Sequence, residues 1–291
     1  MIKVYGVATQ PLEKMVYYAY EDETLNIGDL VLIETDLGQE VGKIVTKKKL
    51  IDEINLSYQI KGILRKLNED DLKKHQKNIE KSKKAFGVCK NKIKEHGLKM
   101  KLLYSTYTFD NSKVIFYFTA NGRIDFRLLV RDVASIIHTR IELRQIGVRD
   151  EMKVKGGIGP CGQVVCCKRF FKNFNSVSLS LAKKQQLYIN PSKISGPCGR
   201  LLCCLSYETE VYDEILDGIP TIGDIVQIDG EEGTVIEHNI FKKKFVILTN
   251  DSVKKEYTFE QAKNAKVIQE KLPTISSDDE DVNLKDLEDE D

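Results

Sequence analysis

Apolar and polar positions alternate from the first residues onward. Met1-Ile2-Lys3-Val4-Tyr5-Gly6-Val7 has the period of a strand, and Met15-Val16-Tyr17-Tyr18-Ala19-Tyr20 is a second, aromatic-rich strand. Ile27-Gly28-Asp29-Leu30-Val31-Leu32-Ile33 and Val41-Gly42-Lys43-Ile44-Val45 follow, separated by a turn at Leu37-Gly38-Gln39. The Gly-Asp pair turns the chain into its strand, and the glycine before Lys43 allows a close backbone crossing. The pattern returns near the other end as Ile222-Gly223-Asp224-Ile225-Val226 and Gly233-Thr234-Val235-Ile236, with Phe245-Val246-Ile247-Leu248 as a further strand. Both regions are predicted to be small, strongly bent β-barrels.

Between them the period lengthens. Asn68 to about His96 predicts a helix, with Asn68 as its cap, Glu69, Asp70 and Asp71 at its positive end and Gly97 as its stop. Leu72, Ile79, Phe86 and Ile93 recur every seven residues on a narrow stripe among lysines, the pattern of a helix docking on one surface; Cys89 reads as a small buried apolar residue. Lys101 to Ile146 predicts β-β-α-β, with a turn at Phe109-Asp110-Asn111-Ser112. Asp125 is the expected helix cap, and Phe126, Leu129, Val130, Val133, Ile136 and Ile137 share one helical face. The expected fold is α+β: N-terminal β structure, a long helix, a β-β-α-β core with a Cys-rich loop region, and a C-terminal small β-barrel.

Length and charge add the organisation. A chain of 291 residues accommodates two or three modest domains. The expected parts are an N-terminal β subdomain at 1–62, an α+β core at 63–215, a small β-barrel at 218–270 and a disordered acidic tail at 271–291. The formal charge of +1 conceals a polarity: Ser276 to Asp291 carries −8, so the rest carries +9. A basic body suits RNA or an acidic protein as partner, and equally plain solubility. No apolar run approaches the roughly 20 residues that span a bilayer, and the start of the chain lacks the apolar stretch of a secretion signal. The expectation is a cytoplasmic protein without membrane insertion, its thiols kept reduced.

Chemistry concentrates in two copies of one signature, G-P-C-G-x-x-x-C-C. They are Gly159-Pro160-Cys161-Gly162-Gln163-Val164-Val165-Cys166-Cys167 and Gly196-Pro197-Cys198-Gly199-Arg200-Leu201-Leu202-Cys203-Cys204, starting 37 residues apart. Six of the seven cysteines lie in them, which is the donor set of a thiophilic metal. The C-x4-C spacing suits iron–sulphur ligation and also admits zinc. On an extended backbone, vicinal cysteines face opposite sides. Cys161, Cys166, Cys198 and Cys203 would then close one four-thiolate site, leaving Cys167 and Cys204 for a second site or a partner. Lys153, Lys155, Lys168, Arg169 and Arg200 flank the cysteines and can offset thiolate charge. Catalysis has little to rest on: none of His75, His96, His138 and His238 adjoins a repeat, and no G-x-S-x-G or H-E-x-x-H occurs.

These residues also carry a resemblance. The run 140–151 (RIELRQIGVRDE), both cysteine signatures, 190–196 (NPSKISG), 28–31 (GDLV) and 113–127 (KVIFYFTANGRIDFR) resemble the bacterial YaaT/RicT family, which has the polymerase-suppressor-protein C-terminal domain. The resemblance spans roughly residues 1–215, and all six repeat cysteines match the family's positions. It implies a non-enzymatic regulator joined to two small helical proteins, RicA (YmcA) and RicF (YlbF), in a complex carrying [4Fe-4S] clusters. That complex modulates RNase Y, a membrane-associated endoribonuclease, and through it sporulation, competence and biofilm development. The competing expectation is a zinc-stabilised nucleic-acid-binding protein that uses the β modules and the basic body.

Overall fold

The computed structural model describes residues 2–12, 14–21, 25–51, 60–171, 176–262 and 264–269. The acidic tail expected at 271–291 lies outside them. The chain forms two compact units, Met1–Asn175 with Gly196–Arg200, and Ser176–Ser195 with Leu201–Asp291. The fold is α+β, with 14 strands in three sheets and 8 helices among the described residues.

The first unit begins with β1 (Ile2–Thr9), β2 (Lys14–Ala19), β3 (Leu30–Thr35), β4 (Gly38–Ile44), β5 (Lys49–Ile51) and β6 (Ile63–Lys66). They pair antiparallel in the order β2-β1-β4-β3-β6, with β5 also on β1. Inward positions of the alternating pattern (Tyr5, Val7, Val31, Ile33, Ile44) build its core. The sheet curls far enough for a single bridge, Ala19 with Gly62, to join its edges at one point, short of a closed barrel.

Arg65 on β6 grips the Asp71 carboxylate, and the chain then enters α1 (Glu69–Glu95). The expected cap is a full capping box: Asn68 Oδ1 accepts the Asp71 N–H at 2.8 Å, and Asp71 Oδ2 accepts the Asn68 N–H at 3.1 Å. The buried face follows the expected stripe only at its C-terminal end. Asp71, Asn78, Ser82, Ala85, Cys89 and Ile93 are buried, whereas Leu72 is 43% exposed. Burial pushes the Cys89 thiol up to about 12, as expected of a cysteine that serves as an apolar residue.

This face packs on β7 (Lys101–Tyr107), which pairs antiparallel with β8 (Lys113–Thr119). The chain then forms α2 (Arg127–Ile137) and returns in β9 (Arg140–Gln145), parallel to β8. The predicted β-β-α-β unit is thus present, centred on Val114, Phe116, Leu129 and Val133. Two details differ. Phe126 occupies the N-cap, one residue after Asp125, although Asp125 Oδ1 still accepts the Arg127 N–H (3.1 Å) while its carboxylate forks with the Arg127 guanidinium, and Ile136 faces solvent at 49% exposure. His138 closes α2 in the left-handed region (φ 54), and His96 Nε2 meets Asp132 Oδ2 at 3.0 Å, clasping α1 to α2. After β9 come α3 (Val148–Lys155) and α4 (Cys166–Arg169).

The second unit holds α5 (Leu179–Lys184), α6 (Pro191–Ile194) and α7 (Cys203–Leu216), then β10 (Ile225–Ile228), β11 (Glu231–Asn239), β12 (Lys244–Thr249), β13 (Lys254–Thr258), α8 (Phe259–Ala262) and β14 (Lys266–Gln269). The sheet runs β13-β12-β11-β10-β14 around Val226, Val235, Phe245 and Ile247. The expected small barrel is here an open, bulged sheet: α8 joins β13 to β14, and those edge strands do not pair with each other among the described residues.

His238 on β11 is buried, with Nε2 2.8 Å from the Pro220 carbonyl and its ring edge-on to Phe259. Burial lowers its pKa, against the opposing pull of the Pro220 carbonyl and Asp224. The folded form therefore holds this ring neutral, and its contribution to stability is present above about pH 6.5. That contribution is lost as the pH falls through the depressed value, with a slope of at most about 1.4 kcal/mol per pH unit. Urea midpoints of the full chain are expected to fall between pH 7 and pH 5, and to fall less in His238→Gln; equal falls in both would remove His238 as the source.

Candidate metal centre

The two cysteine signatures fold alike, bond for bond. In the first, Ile158 and Val164 form an antiparallel bridge, the Gly159 N–H donates to the Gln163 carbonyl (2.8 Å), and the Gly162 N–H donates to the Gly159 carbonyl (2.9 Å). In the second, Ser195 bridges Leu201, Gly196 N–H donates to Arg200 (2.8 Å), and Gly199 N–H donates to Gly196 (2.9 Å). Proline takes the second place of each turn and glycine the fourth, where φ is +78° at Gly162 and +80° at Gly199. A side chain there would be strained, which is why both copies keep glycine at the fourth place. Each hairpin then closes on the residue before a helix: Val165 N–H on Gly157 (3.1 Å), Leu202 N–H on Ile194 (2.9 Å).

Each copy thus presents one cysteine from a turn and two from a helix start. Cys161 and Cys198 sit third in their turns, Cys166-Cys167 open α4, and Cys203-Cys204 open α7. The extended arrangement expected for the vicinal pairs is corrected here: on a helix, neighbours diverge by about 100° rather than facing opposite sides. Cys161 is exposed, with its Sγ over Gly159, and Cys166, Cys198, Cys203 and Cys204 are half-buried. Cys167 is 4% exposed and therefore does not face outward to a partner. On α7, Cys204, Glu208 and Tyr212 follow at four-residue intervals along one face, and burial, Glu208 and Cys204 raise the Tyr212 pKa.

Cys161, Cys166, Cys167 and Cys198 belong to the first unit, and Cys203 and Cys204 to the second. Cys198, from the second repeat, therefore shares a unit with the whole first repeat. It is also near enough to Cys167 to act on it. Burial chiefly, and then Cys198, hold the Cys167 thiol above its ordinary value, while backbone N–H groups and Lys153 oppose them. Lys153, on α3, is itself 4% exposed, a position a lysine occupies only with compensation nearby. The sequence placed it among the flanking cations without marking it as the buried one.

As a donor set, these thiols fit an iron–sulphur cluster or zinc: they are soft, numerous and free of disulfides. Among the described residues, however, no three of His, Cys, Asp or Glu converge closely enough to hold a metal. A cavity of about 1070 Å³, not anticipated from the sequence, lies within the first unit. Phe170 and Phe171, directly after α4, line it with Met15, His75, Ile79 and Phe86. Burial lowers the His75 pKa, and burial chiefly raises that of Glu40, another lining residue. The signal for this cavity was the heptad stripe, since Ile79 and Phe86 line it instead of packing in the core.

Residues 61–146 match the family described as the PSP1 C-terminal conserved region, and residues 176–219 match the PSP1-like protein, third domain. The chain is 43% identical over 262 residues to the stage 0 sporulation protein YaaT of Bacillus subtilis, covering 90% of this chain and 95% of that one. It is 29% identical over 145 residues to an uncharacterized protein of Schizosaccharomyces pombe, covering 40% of this chain and 19% of that one. No solved structure matches. No helix among the described residues is long and apolar enough to cross a membrane.

Proposed function

The chain belongs to the YaaT family of PSP1-domain proteins, and from that premise we propose that it is a non-enzymatic regulatory subunit, an adaptor holding a [4Fe-4S] cluster in a cytoplasmic complex that modulates endoribonuclease-dependent RNA processing. One observation carries the cluster: two identically folded thiol-bearing turns, with Cys198 of one sharing a compact unit, and an electrostatic neighbourhood, with Cys167 of the other. Cys161, Cys166, Cys167 and Cys198 are the repeat thiols of the first unit, and Cys203 and Cys204 those of the second. A bound cluster would supply a rigid cross-link and a one-electron couple. The chain's own residues supply the surroundings: turn glycines that let the backbone come close, and the buried cation of Lys153 against the negative charge of thiolates.

The regulatory role rests on the relative, a protein named for sporulation. The adaptor role has for its partners RicA- and RicF-like helical proteins and an RNase Y-type endoribonuclease. Anaerobic purification tests the cluster directly. A brown protein with matching iron and acid-labile sulphide is expected; a colourless protein with stoichiometric zinc would replace the cluster by a structural metal. An anaerobic pull-down with the helical partners tests the adaptor role, and capture that ignores iron removal would separate it from the cluster.

A further inference from the structure

A second site lies at the tip of the β11–β12 hairpin, within the second unit and apart from the cysteines in sequence. The tip reads Asn239-Ile240-Phe241-Lys242-Lys243. Ile240 is turned inward at 9% exposure, while Phe241 is 92% exposed, more than any other large apolar side chain among the described residues. This exposure does not come from a slack loop. The Lys242 N–H donates to Asn239 Oδ1 (3.1 Å), and the Lys243 N–H donates to the Ile240 carbonyl (3.2 Å). Lys243 stands in the left-handed region (φ 51), and its carbonyl accepts the Phe259 N–H at 2.9 Å, bracing the tip against α8. A braced turn that holds a bare ring in water keeps apolar area exposed where any polar residue would serve the turn equally well.

The charges around the ring are cationic. Lys242 and Lys243 are exposed beside it, and Lys244 holds Glu256 at 3.0 Å, which occupies the carboxylate nearest the tip on β13; Glu260 follows on α8. One flat ring with ammonium groups beside it suits an unpaired base next to phosphates. A membrane contact would require several apolar side chains pointing outward together, and here the neighbouring isoleucine is turned in and lysines follow. We propose that Phe241, Lys242 and Lys243 form a contact site for single-stranded RNA, with one base stacked on the ring and adjacent phosphates on the lysines. A duplex offers no free base face, so it is the poorer ligand. The site needs no metal. Its failure would leave the cluster reading untouched, because that reading is measured by iron.

The chain has no tryptophan, so Phe241→Trp places a single indole at the tip of the full-length protein. Titration with a single-stranded oligouridylate at low salt is expected to quench its emission saturably, and duplex RNA is expected to quench it less. With labelled oligouridylate, Phe241→Ala is expected to bind roughly tenfold more weakly than the parent chain. Lys242→Gln with Lys243→Gln is expected to lower the slope of log affinity against log salt by about 1.4, the share of two single-strand phosphates. All these changes lie in solvent, and far-ultraviolet circular dichroism verifies that the fold is kept. Unchanged emission at saturating RNA, or equal affinity of Phe241→Ala and the parent, overturns the proposal. A blue shift with phosphatidylserine vesicles and no quench with RNA overturns it in favour of a membrane contact.

Discussion

Replacing Gly233 with alanine is expected to destabilise the second unit by about 3 kcal/mol, and to lower its thermal midpoint by roughly 10–20 °C. Gly233 lies in β11 opposite Thr249 of β12 and Val226 of β10. A Cβ built there would stand 2.7 Å from the Leu248 carbonyl oxygen and 3.2 Å from Ile247 Cδ1. The oxygen is backbone within the β12 ladder, so no side chain can swing aside and the strands themselves must part. Gly42 in the first sheet is its counterpart in the repeated pattern: a Cβ there would meet Val7 Cγ1 at 2.2 Å, on a β-branched side chain that is 1% exposed. Gly87 provides the opposite sign. It is within α1 with nothing inside 4 Å of an added Cβ, so alanine is expected to stabilise by about 0.5–1 kcal/mol. Thermal unfolding of the three variants by circular dichroism reads the series. A midpoint in Gly233→Ala equal to that of the parent would mean that β11 and β12 do not approach as closely as described.

Those two glycines were legible in the sequence because close backbone approach requires a residue without a Cβ, and the repeated Gly-Asp strand pattern marked both places. The ends of α1 were legible for a similar reason, since Asn68 and Gly97 satisfy groups that every helix leaves open. Its buried face was legible only toward the C-terminal end, where Cys89 and Ile93 are buried as expected. Hydrophobic periodicity also selects Leu72, Ile79 and Phe86, but there the helix approaches β7 through the polar residues Asn78 and Ser82. Ser105 Oγ donates to the Ser82 carbonyl (2.8 Å), the Tyr107 N–H donates to Ser82 Oγ (3.2 Å), and Asn78 Nδ2 reaches the carbonyls of Thr108 and Phe109. Buried side chains that pair with backbone carry no apolar signature. The cysteine site divides in the same way. The turns could be read from G-P-C-G, because proline and glycine each answer to one backbone demand. The direction of Cys166 and Cys167 could not, because α4 has four residues, too few to show a helical period.

Cys198→Ser is expected to remove the iron and sulphide from anaerobically purified protein, by at least about tenfold in occupancy, while leaving the fold in place. The reason lies in how the turn is built. Its bonds run between the backbones of Gly196, Gly199 and Arg200, so the thiol is dispensable to the hairpin and, under the cluster reading, is retained for ligation. Cys161→Ser is expected to behave in the same way, since its thiol is exposed over Gly159 in an equivalent turn. Cys167→Ser should do more. At 4% exposure the new hydroxyl is buried, and unless it takes over the thiol's backbone contacts it costs about 1–3 kcal/mol in addition to the lost metal. Cys89 is the control: buried within α1 and remote in sequence from both repeats, it should keep full iron as Cys89→Ala despite some loss of stability. Iron per chain, sulphide per chain and the urea midpoint, measured together on the four variants, separate ligand loss from unfolding. If Cys161→Ser and Cys198→Ser both keep full iron, the turns hold no ligand and the conserved geometry of the two hairpins is structural. Iron loss that tracks the fall in urea midpoint across all four variants would point the same way.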